Sequence, residues 1–344
     1  MKSKKGLKVE KNVTQNDVAR LAGVTRSMVS YVINGSADRS VAPETRQRIL
    51  DAIEELGYRP NKAAQALQLG DEAFAAKKIG VILPAPALFL RPYYTEILEG
   101  IYLAAHENNY HISFIRFFDE LKDPVLFNEL IHTKSIGGLL LLATDLCIKQ
   151  SEDVKLIERI KERLTKIVCV DWTYEGITSV GFDRRDAVYK ACEYLYNCDY
   201  KNIGYIGHED NRKTGAQQFF MEKDLGLLVS YPASDMQSGY SAIRQMAQDG
   251  KIPRAIVCGS DEVAIGVMRF LNEADIAVPQ EVALISNDNI EISQFTNPPL
   301  TTMNVQKSAM GRRAVEMIVN DSVASSDDVM TIILPTAVIH RKSC

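Results

Sequence analysis

Apolar and polar positions follow two different rhythms along this chain, and the change comes near residue 70. Before it, apolar residues recur at three- and four-residue intervals. Val18, Leu21 and Ala22 make one stripe, Met28, Val29, Val32 and Ile33 a second, and Ile49, Ile53 and Leu56 a third. Each stripe has its own punctuation. Thr14, with Asp17 three residues on, forms a capping box for the first helix, and Gly23 ends it. Val24 is the buried turn residue, and Thr25 can cap the second helix. Pro43 suits the first position of the third, and Gly57 stops it. Pro60 then forbids continuation and Asn61 can cap a helix over Lys62–Leu69, too short to be stable alone in water.

From Lys78 onward the rhythm is strand, then helix. Ile79–Leu83, Ile112–Phe117, Gly137–Leu142 and Lys166–Val170 read as apolar strands, with a helix over Tyr94–Asn108. A second set follows at Ile203–Ile206, Ala255–Cys258 and Val282–Ser286, with helices near 184–197, 238–248, 261–274 and 307–319. A continuous run such as Gly137–Leu142 suits a strand buried on both faces of a parallel sheet. The alternation predicts a doubly wound α/β body. Two sets predict two lobes, about 78–180 plus a late crossover segment and about 181–340.

Charge separates the same two regions. Residues 1–70 carry 12 Lys and Arg against 7 Asp and Glu, and residues 71–344 carry 28 against 37. A basic head on an acidic body fits a nucleic-acid-binding module with a separate partner domain. The first two helices read as a helix-turn-helix, whose second helix enters the major groove. Arg26 opens that helix and can bond guanine O6 and N7 together, with Ser27 as a second reader. Thr14, Ser30, Asn34 and Arg39 suit phosphate contacts.

Other classes lack their signatures. No apolar run approaches the ~18 residues that span a bilayer. The lysine-bearing N-terminus has no apolar core of a secretory leader. The six cysteines show no Cys-x-x-Cys pair, which suits reduced thiols in the cytoplasm. No Gly-x-Gly-x-x-Gly follows Ile79–Leu83, no phosphate-loop string occurs, and the five histidines have no metal spacing. No cofactor, metal or enzyme activity is expected.

In open α/β sheets ligands sit beyond the carboxyl ends of strands. The residues there are Pro84-Ala85, Asp171-Trp172, Gly207-His208, Ser260-Asp261 and Asn287-Asp288. Carboxylates that accept hydroxyl hydrogen bonds, beside the aromatic face of Trp172, would suit a sugar. Asp261 reads as a helix cap rather than a ligand contact.

The head, from Val13-Thr14-Gln15-Asn16-Asp17-Val18-Ala19-Arg20-Leu21-Ala22-Gly23-Val24-Thr25 to Leu56-Gly57-Tyr58-Arg59-Pro60-Asn61, closely resembles the lactose-repressor/galactose-repressor (LacI/GalR) family. The body resembles that family's effector domain, itself similar to periplasmic sugar-binding proteins. The matching stretches are Pro92-Tyr93-Tyr94-Thr95-Glu96-Ile97, Arg212-Lys213-Thr214-Gly215, Gly259-Ser260-Asp261-Glu262-Val263-Ala264-Ile265-Gly266 and Pro298-Pro299-Leu300-Thr301-Thr302.

The resemblance implies a basic arm at 1–12, a DNA-binding head at 13–60, a hinge helix and linker at 61–70, and an effector-binding and dimerisation domain at 71–344. Asn61, Ala64 and Leu67 of the hinge helix join Thr25 and Tyr31 in the implied DNA-facing set, Leu67 as a minor-groove wedge. Tyr31 stands where many members carry a base-reading arginine, and Ala42 where a serine cap is usual. In the body the resemblance implies Tyr93 as an aromatic wall, Arg212 and Asp288 as ligand-binding groups, Asp171 as a third polar position, and Ser260 where many members have asparagine. It implies a homodimeric repressor on a pseudo-palindromic duplex, controlled by a small ligand, expected to be a sugar. With no heptad tail after the last strand, dimers are expected rather than tetramers.

Overall fold

The computed structural model describes residues 13–34, 41–58, 75–320 and 329–344. It separates into two compact units, Met1–Asp71 and Glu72–Cys344. Among the described residues the first holds three helices, α1 (Gln15–Ala22), α2 (Arg26–Asn34) and α3 (Pro43–Leu56). The capping box forms as the sequence requires. Thr14 Oγ1 donates to Asp17 Oδ2 at 2.7 Å, and the Thr14 amide donates to the same carboxylate at 3.0 Å. Gly23 ends α1 at φ 66°, and the Val24 amide returns to the Ala19 carbonyl at 3.0 Å. Thr25 Oγ1 accepts from the Met28 amide at 3.4 Å and so caps α2. Ala42 makes no side-chain cap for α3.

The core of this unit is Val18, Ala19, Ala22, Val29, Val32, Ile49 and Ala52. Leu21 and Met28, predicted to face it, are instead 46% and 38% exposed. The buried face of α1 runs through Ala19 and Ala22, small residues that let the helices approach closely, and this turns Leu21 outward.

The second unit contains two six-stranded sheets. The first has the order β2-β1-β3-β4-β5-β11. Its strands are β1 (Lys78–Leu83), β2 (His111–Phe117), β3 (Gly138–Leu142), β4 (Ile167–Val170), β5 (Thr178–Gly181) and β11 (Thr331–Ile333), all parallel. The second has the order β7-β6-β8-β9-β10-β12. These are β6 (Ile203–Gly207), β7 (Val229–Pro232), β8 (Ala255–Cys258), β9 (Ala283–Asp288), β10 (Thr301–Asn304) and β12 (Ala337–Ile339), with only β12 antiparallel. Central strands are wholly apolar and buried because helices cover both faces.

The covering helices are α4 (Pro92–Glu107), α5 (Pro124–Leu130), α6 (Ser151–Arg163), α7 (Arg184–Asn197), α8 (Asn211–Glu222), α9 (Met236–Gln248), α10 (Asp261–Glu273) and α11 (Lys307–Val319). On the first lobe α4 and α11 share one core, and α5 and α6 share the other. On the second lobe α9 and α10 pack on one face and α7 and α8 on the other.

Helix α11, grouped by sequence with the second set, therefore belongs to the first lobe. It lies so close to α4 that a Cβ on Gly100 would stand 2.0 Å from the Ser308 carbonyl, and one on Gly311 2.1 Å from that of Ile97. The chain crosses between lobes after β5, after β10 and between β11 and β12.

Candidate functional site

Both sheets run 2-1-3-4-5 in their main strands, so each has a switch point between its first and third strand. A crevice opens there at the carboxyl ends. In the second lobe that point lies between β6 and β8. A Cβ at Gly207 would stand 2.7 Å from the Gly259 Cα, so only glycines let the two strand ends meet. His208 and Ser260 leave the sheet from this point, and Asp288 leaves from β9. From the first lobe Arg91, Tyr93 and Tyr94 enter at the start of α4.

Arg91, Tyr93, Tyr94, His208, Arg212, Ser260, Glu262 and Asp288 line one cleft between the lobes, with a free volume of about 20 Å³. Four of the six expected ligand residues, Tyr93, Arg212, Ser260 and Asp288, are thus brought together. Tyr93 is buried, and its hydroxyl has no hydrogen-bond partner among the described residues. Burial, then the charge of Asp171, holds that hydroxyl well above the usual phenol range.

Arg212 Nη1 meets His208 Nδ1 at 2.5 Å. An arginine only donates, so this contact leaves His208 neutral with Nδ1 as acceptor. Burial first, and the Arg212 charge second, push His208 down to about 3. Asp288 is held well above the usual carboxylate range by burial and by Asp261, against the pull of Arg212 and Lys307.

Asp171 and Trp172 line a neighbouring hollow of about 220 Å³, with Arg184, Asn211 and Thr331. Arg184 Nη2 lies 2.9 Å from Asp171 Oδ1 and donates to the Asp171 carbonyl at 2.7 Å. Trp172, expected to offer a sugar its face, is built into the core instead. It is 6% exposed, packs among Ile82, Leu121, Leu141 and Cys169, and its indole N–H donates to the Leu141 carbonyl at 2.7 Å.

Asp261 is a second correction. The cap of α10 is Ser260, whose hydroxyl accepts from the Val263 amide at 3.3 Å. Asp261, fully buried, accepts from Thr302 Oγ1 at 2.6 Å, the Ile290 amide at 2.8 Å and the Ser286 hydroxyl. Burial pushes its carboxyl up to about 6 against these three bonds.

The chain bends sharply at several strand ends, with Ala143 at φ 49°, Asp171 at 66° and Asp288 at 113°. Non-glycine residues seldom adopt such angles, and they persist where surrounding contacts over-determine them. Arg91, Tyr94, His208 and Glu262 were not among the expected ligand residues. His208 at least occupied a flagged post-strand position.

In the head, Arg26 and Ser27 are exposed at the start of α2, and Arg26 Nε reaches Gln15 Oε1 of α1 at 3.4 Å. Gln15 therefore helps aim the expected base reader, which sequence reasoning missed. Thr14 and Thr25 are exposed, and Ser30 and Tyr31 half-buried. The side chain of Asn34, and Arg39, Asn61, Ala64 and Leu67, lie outside the described residues. Among the described residues no His, Cys, Asp or Glu cluster could hold a metal, and no helix is long and apolar enough to cross a membrane.

A helix-turn-helix head and a two-lobed ligand cleft in one chain define a ligand-responsive DNA-binding regulator. A family model for bacterial regulatory proteins of the lacI family matches residues 14–61, and one for a periplasmic binding protein-like domain matches residues 192–344. The chain thus carries a lacI-family DNA-binding head and a periplasmic binding protein-like domain, the make-up of a LacI/GalR-type transcriptional regulator governed by a small molecule.

The HTH-type transcriptional repressor PurR of Haemophilus influenzae is 29% identical over 316 residues, 89% of this chain and 90% of its own. The ribose operon repressor of the same organism is 25% identical over 341 residues, 96% and 98% of the two chains. A structure of the lac repressor dimer bound to operator and the anti-inducer ONPF shares the fold with a TM-score of 0.76. It is 23% identical and covers 97% of this chain and 99% of its own. A LacI family regulator from Enterococcus faecium with bound ribose has a TM-score of 0.65 at 17% identity, covering 78% and 98%.

Proposed function

We propose that this chain is a cytoplasmic homodimeric repressor that binds a pseudo-palindromic operator and takes a small polyhydroxylated ligand, a sugar, in the cleft between its lobes. The observation that carries the ligand reading is the buried, unpartnered Tyr93 hydroxyl in the same cleft as Arg212, His208 and Asp288. An unsatisfied buried hydroxyl costs roughly 1–3 kcal/mol, which a ligand hydroxyl would recover. Tyr93 and Tyr94 supply ring faces for sugar CH groups, Arg212 donates, and Asp288 accepts. A ribose-bound neighbour of this fold and the ribose operon repressor among the relatives support a sugar.

In the head, Arg26 and Ser27 read base edges, while Thr14, Thr25, Ser30, Tyr31, Asn34 and Arg39 position the duplex. Asn61, Ala64 and Leu67 act at the minor groove. Dimer symmetry is matched by operator symmetry. Ligand and DNA then compete for different states of one equilibrium, with a coupling of about 1–3 kcal/mol that must be reciprocal.

The test is thermal unfolding of the full chain against a panel of pentoses, hexoses, nucleosides and purine bases, followed by operator binding with and without each hit. A sugar that raises the melting temperature and changes operator affinity supports the reading. Stabilisation by nucleosides or purine bases alone, with no response to sugars, would overturn it.

A further inference from the structure

The cleft that gathers Tyr93, Arg212, Ser260 and Asp288 is narrow. Its free volume of about 20 Å³ holds roughly one water. Pockets for small ligands run to about 300–1,000 Å³. Three charged contacts bridge the lobes around this cleft. Two lie beside the crossovers. Arg184, where the chain enters the second lobe, pairs with Asp171 of the first. Lys307, where it re-enters the first, lies 3.2 Å from Glu96 and donates to the Asp288 and Asn289 carbonyls. These follow the strands that tie the lobes covalently, so they move little when a hinge opens.

The third is different. Arg91 precedes α4 on the first lobe, and its partners belong to the second. Its Nε donates to Glu262 Oε2 at 2.7 Å, its Nη2 lies 2.5 Å from the same oxygen, and Nη2 also donates to the Ser234 carbonyl at 2.8 Å. Arg91 and Glu262 are 171 positions apart in sequence and no crossover strand joins their loops. Both line the cleft, and the pair is shielded, with the arginine side chain 28% and the glutamate 10% exposed. A two-pronged, charge-assisted contact of this kind belongs to the strong class of hydrogen bonds, and breaking it leaves a carboxylate without its partner.

We propose that the Arg91–Glu262 pair is an autoinhibitory latch. It clasps the two lobes beside the cleft, and a ligand enters only in the minor population in which the latch is broken. The apparent affinity for any cleft ligand is then reduced by the open fraction. This rests on the cleft being the ligand site, but the latch can be tested with no ligand present.

The experiment is peptide-resolved amide hydrogen exchange on the full-length chain. It compares wild type, Arg91→Ala, Glu262→Gln and the double variant, at the cleft-facing segments around Arg91–Tyr94, His208–Arg212 and Ser260–Glu262. Small-angle scattering on the same samples reports lobe separation. Each single variant is expected to exchange about tenfold faster at these segments and to show a larger radius of gyration. The helices α5 and α6, which share the other core of the first lobe, should exchange as in wild type, which shows that the fold is intact. The double variant should be no faster than the singles, because they break the same contact. Wild-type exchange in both singles would overturn the latch. So would additive effects in the double, which would mean two unrelated packing losses. Failure of every sugar in the thermal panel would instead count against the ligand reading and leave the exchange result standing.

Discussion

Replacing Trp172 by phenylalanine separates a structural indole from a ligand-binding one. The phenyl ring keeps most of the apolar contact with Ile82, Leu121 and Cys169. It removes the N–H that reaches the Leu141 carbonyl at 2.7 Å. That carbonyl lies on a central buried strand, so the lost donor costs roughly 1–2 kcal/mol. The smaller ring leaves a void that adds about 1–2 kcal/mol. The sum is about 2–4 kcal/mol. At about 2 °C per kcal/mol for a body of this size, the melting temperature should fall by about 4–8 °C. Trp172 is the only tryptophan, so unfolding is followed by far-ultraviolet circular dichroism. The change in operator binding caused by a sugar that acts on wild type should keep its concentration dependence. An unchanged melting temperature together with a lost sugar response would refute this reasoning and return Trp172 to the binding surface.

Four further outcomes can be measured. Arg26→Ala should cost about 1–3 kcal/mol at the operator and relax specificity there; equal affinity of variant and wild type for the operator would remove Arg26 as a reader. Thr14→Ala removes the hydroxyl arm of the capping box, which accepts from the Asp17 amide and donates to its carboxylate, and should lower head stability by about 1 kcal/mol, read from helix unfolding. Arg212→Ala and Asp288→Ala should each abolish the sugar response yet spare operator binding, and a variant that still responds at wild-type concentrations would remove that residue from the site. His208 is held neutral, from 6.5 down to about 3, so its contribution to stability is present above pH 6.5 and is lost as pH falls. Asp261 runs the other way, since a raised carboxyl favours the fold as pH drops below about 6. The stability difference between wild type and His208→Asn isolates the first term. It should grow by up to ~1.4 kcal/mol per pH unit between about 4 and 6.5, and a flat difference would show that His208 is not buried neutral.

The head was readable because its signals are local. Capping residues, stop glycines and helical periods lie within a turn or two of what they control. What failed there was the exact face of α1 and α2: on α1 Ala19 and Ala22 fill the gap in place of Leu21, and on α2 Val29 and Val32 are buried while Met28 is exposed. In the body, the long apolar strands were plain. The short ones were not: β5 reads Thr-Ser-Val-Gly and β10 Thr-Thr-Met-Asn, polar in sequence although mostly buried. No period could assign α11 to a lobe, because helical patterning shows which face is buried and not which sheet buries it. Nor could it pair Arg91 with Glu262 across 171 positions. Ser260 and Asp261 are both capable caps, and only the fold shows that the first takes the helix while the second is drawn into the core.

The loop that carries Asp288 makes the last case. Asp288 and Asn289 sit at φ 113° and 53°, a pair of strained residues in sequence. From one side Asp261 accepts from the Ile290 amide and ties β9 to β10 through Ser286 and Thr302. From the other, Lys307, 3% exposed, donates to the carbonyls of Asp288 and Asn289 while facing Glu96 of the first lobe. Strain of about 1–3 kcal/mol per residue is tolerable only under such double restraint. Lys307→Met keeps the aliphatic length and removes the ammonium. Glu96 is half-solvated and can stand alone, but two carbonyls lose a charged donor, which should cost about 2–4 kcal/mol. If the restraint positions Asp288, the variant should also bind the sugar more weakly while holding operator as wild type does. Lost stability with unchanged sugar affinity would mean that Lys307 staples the crossover without aiming Asp288, and unchanged stability would mean that the strained loop is held by Asp261 alone.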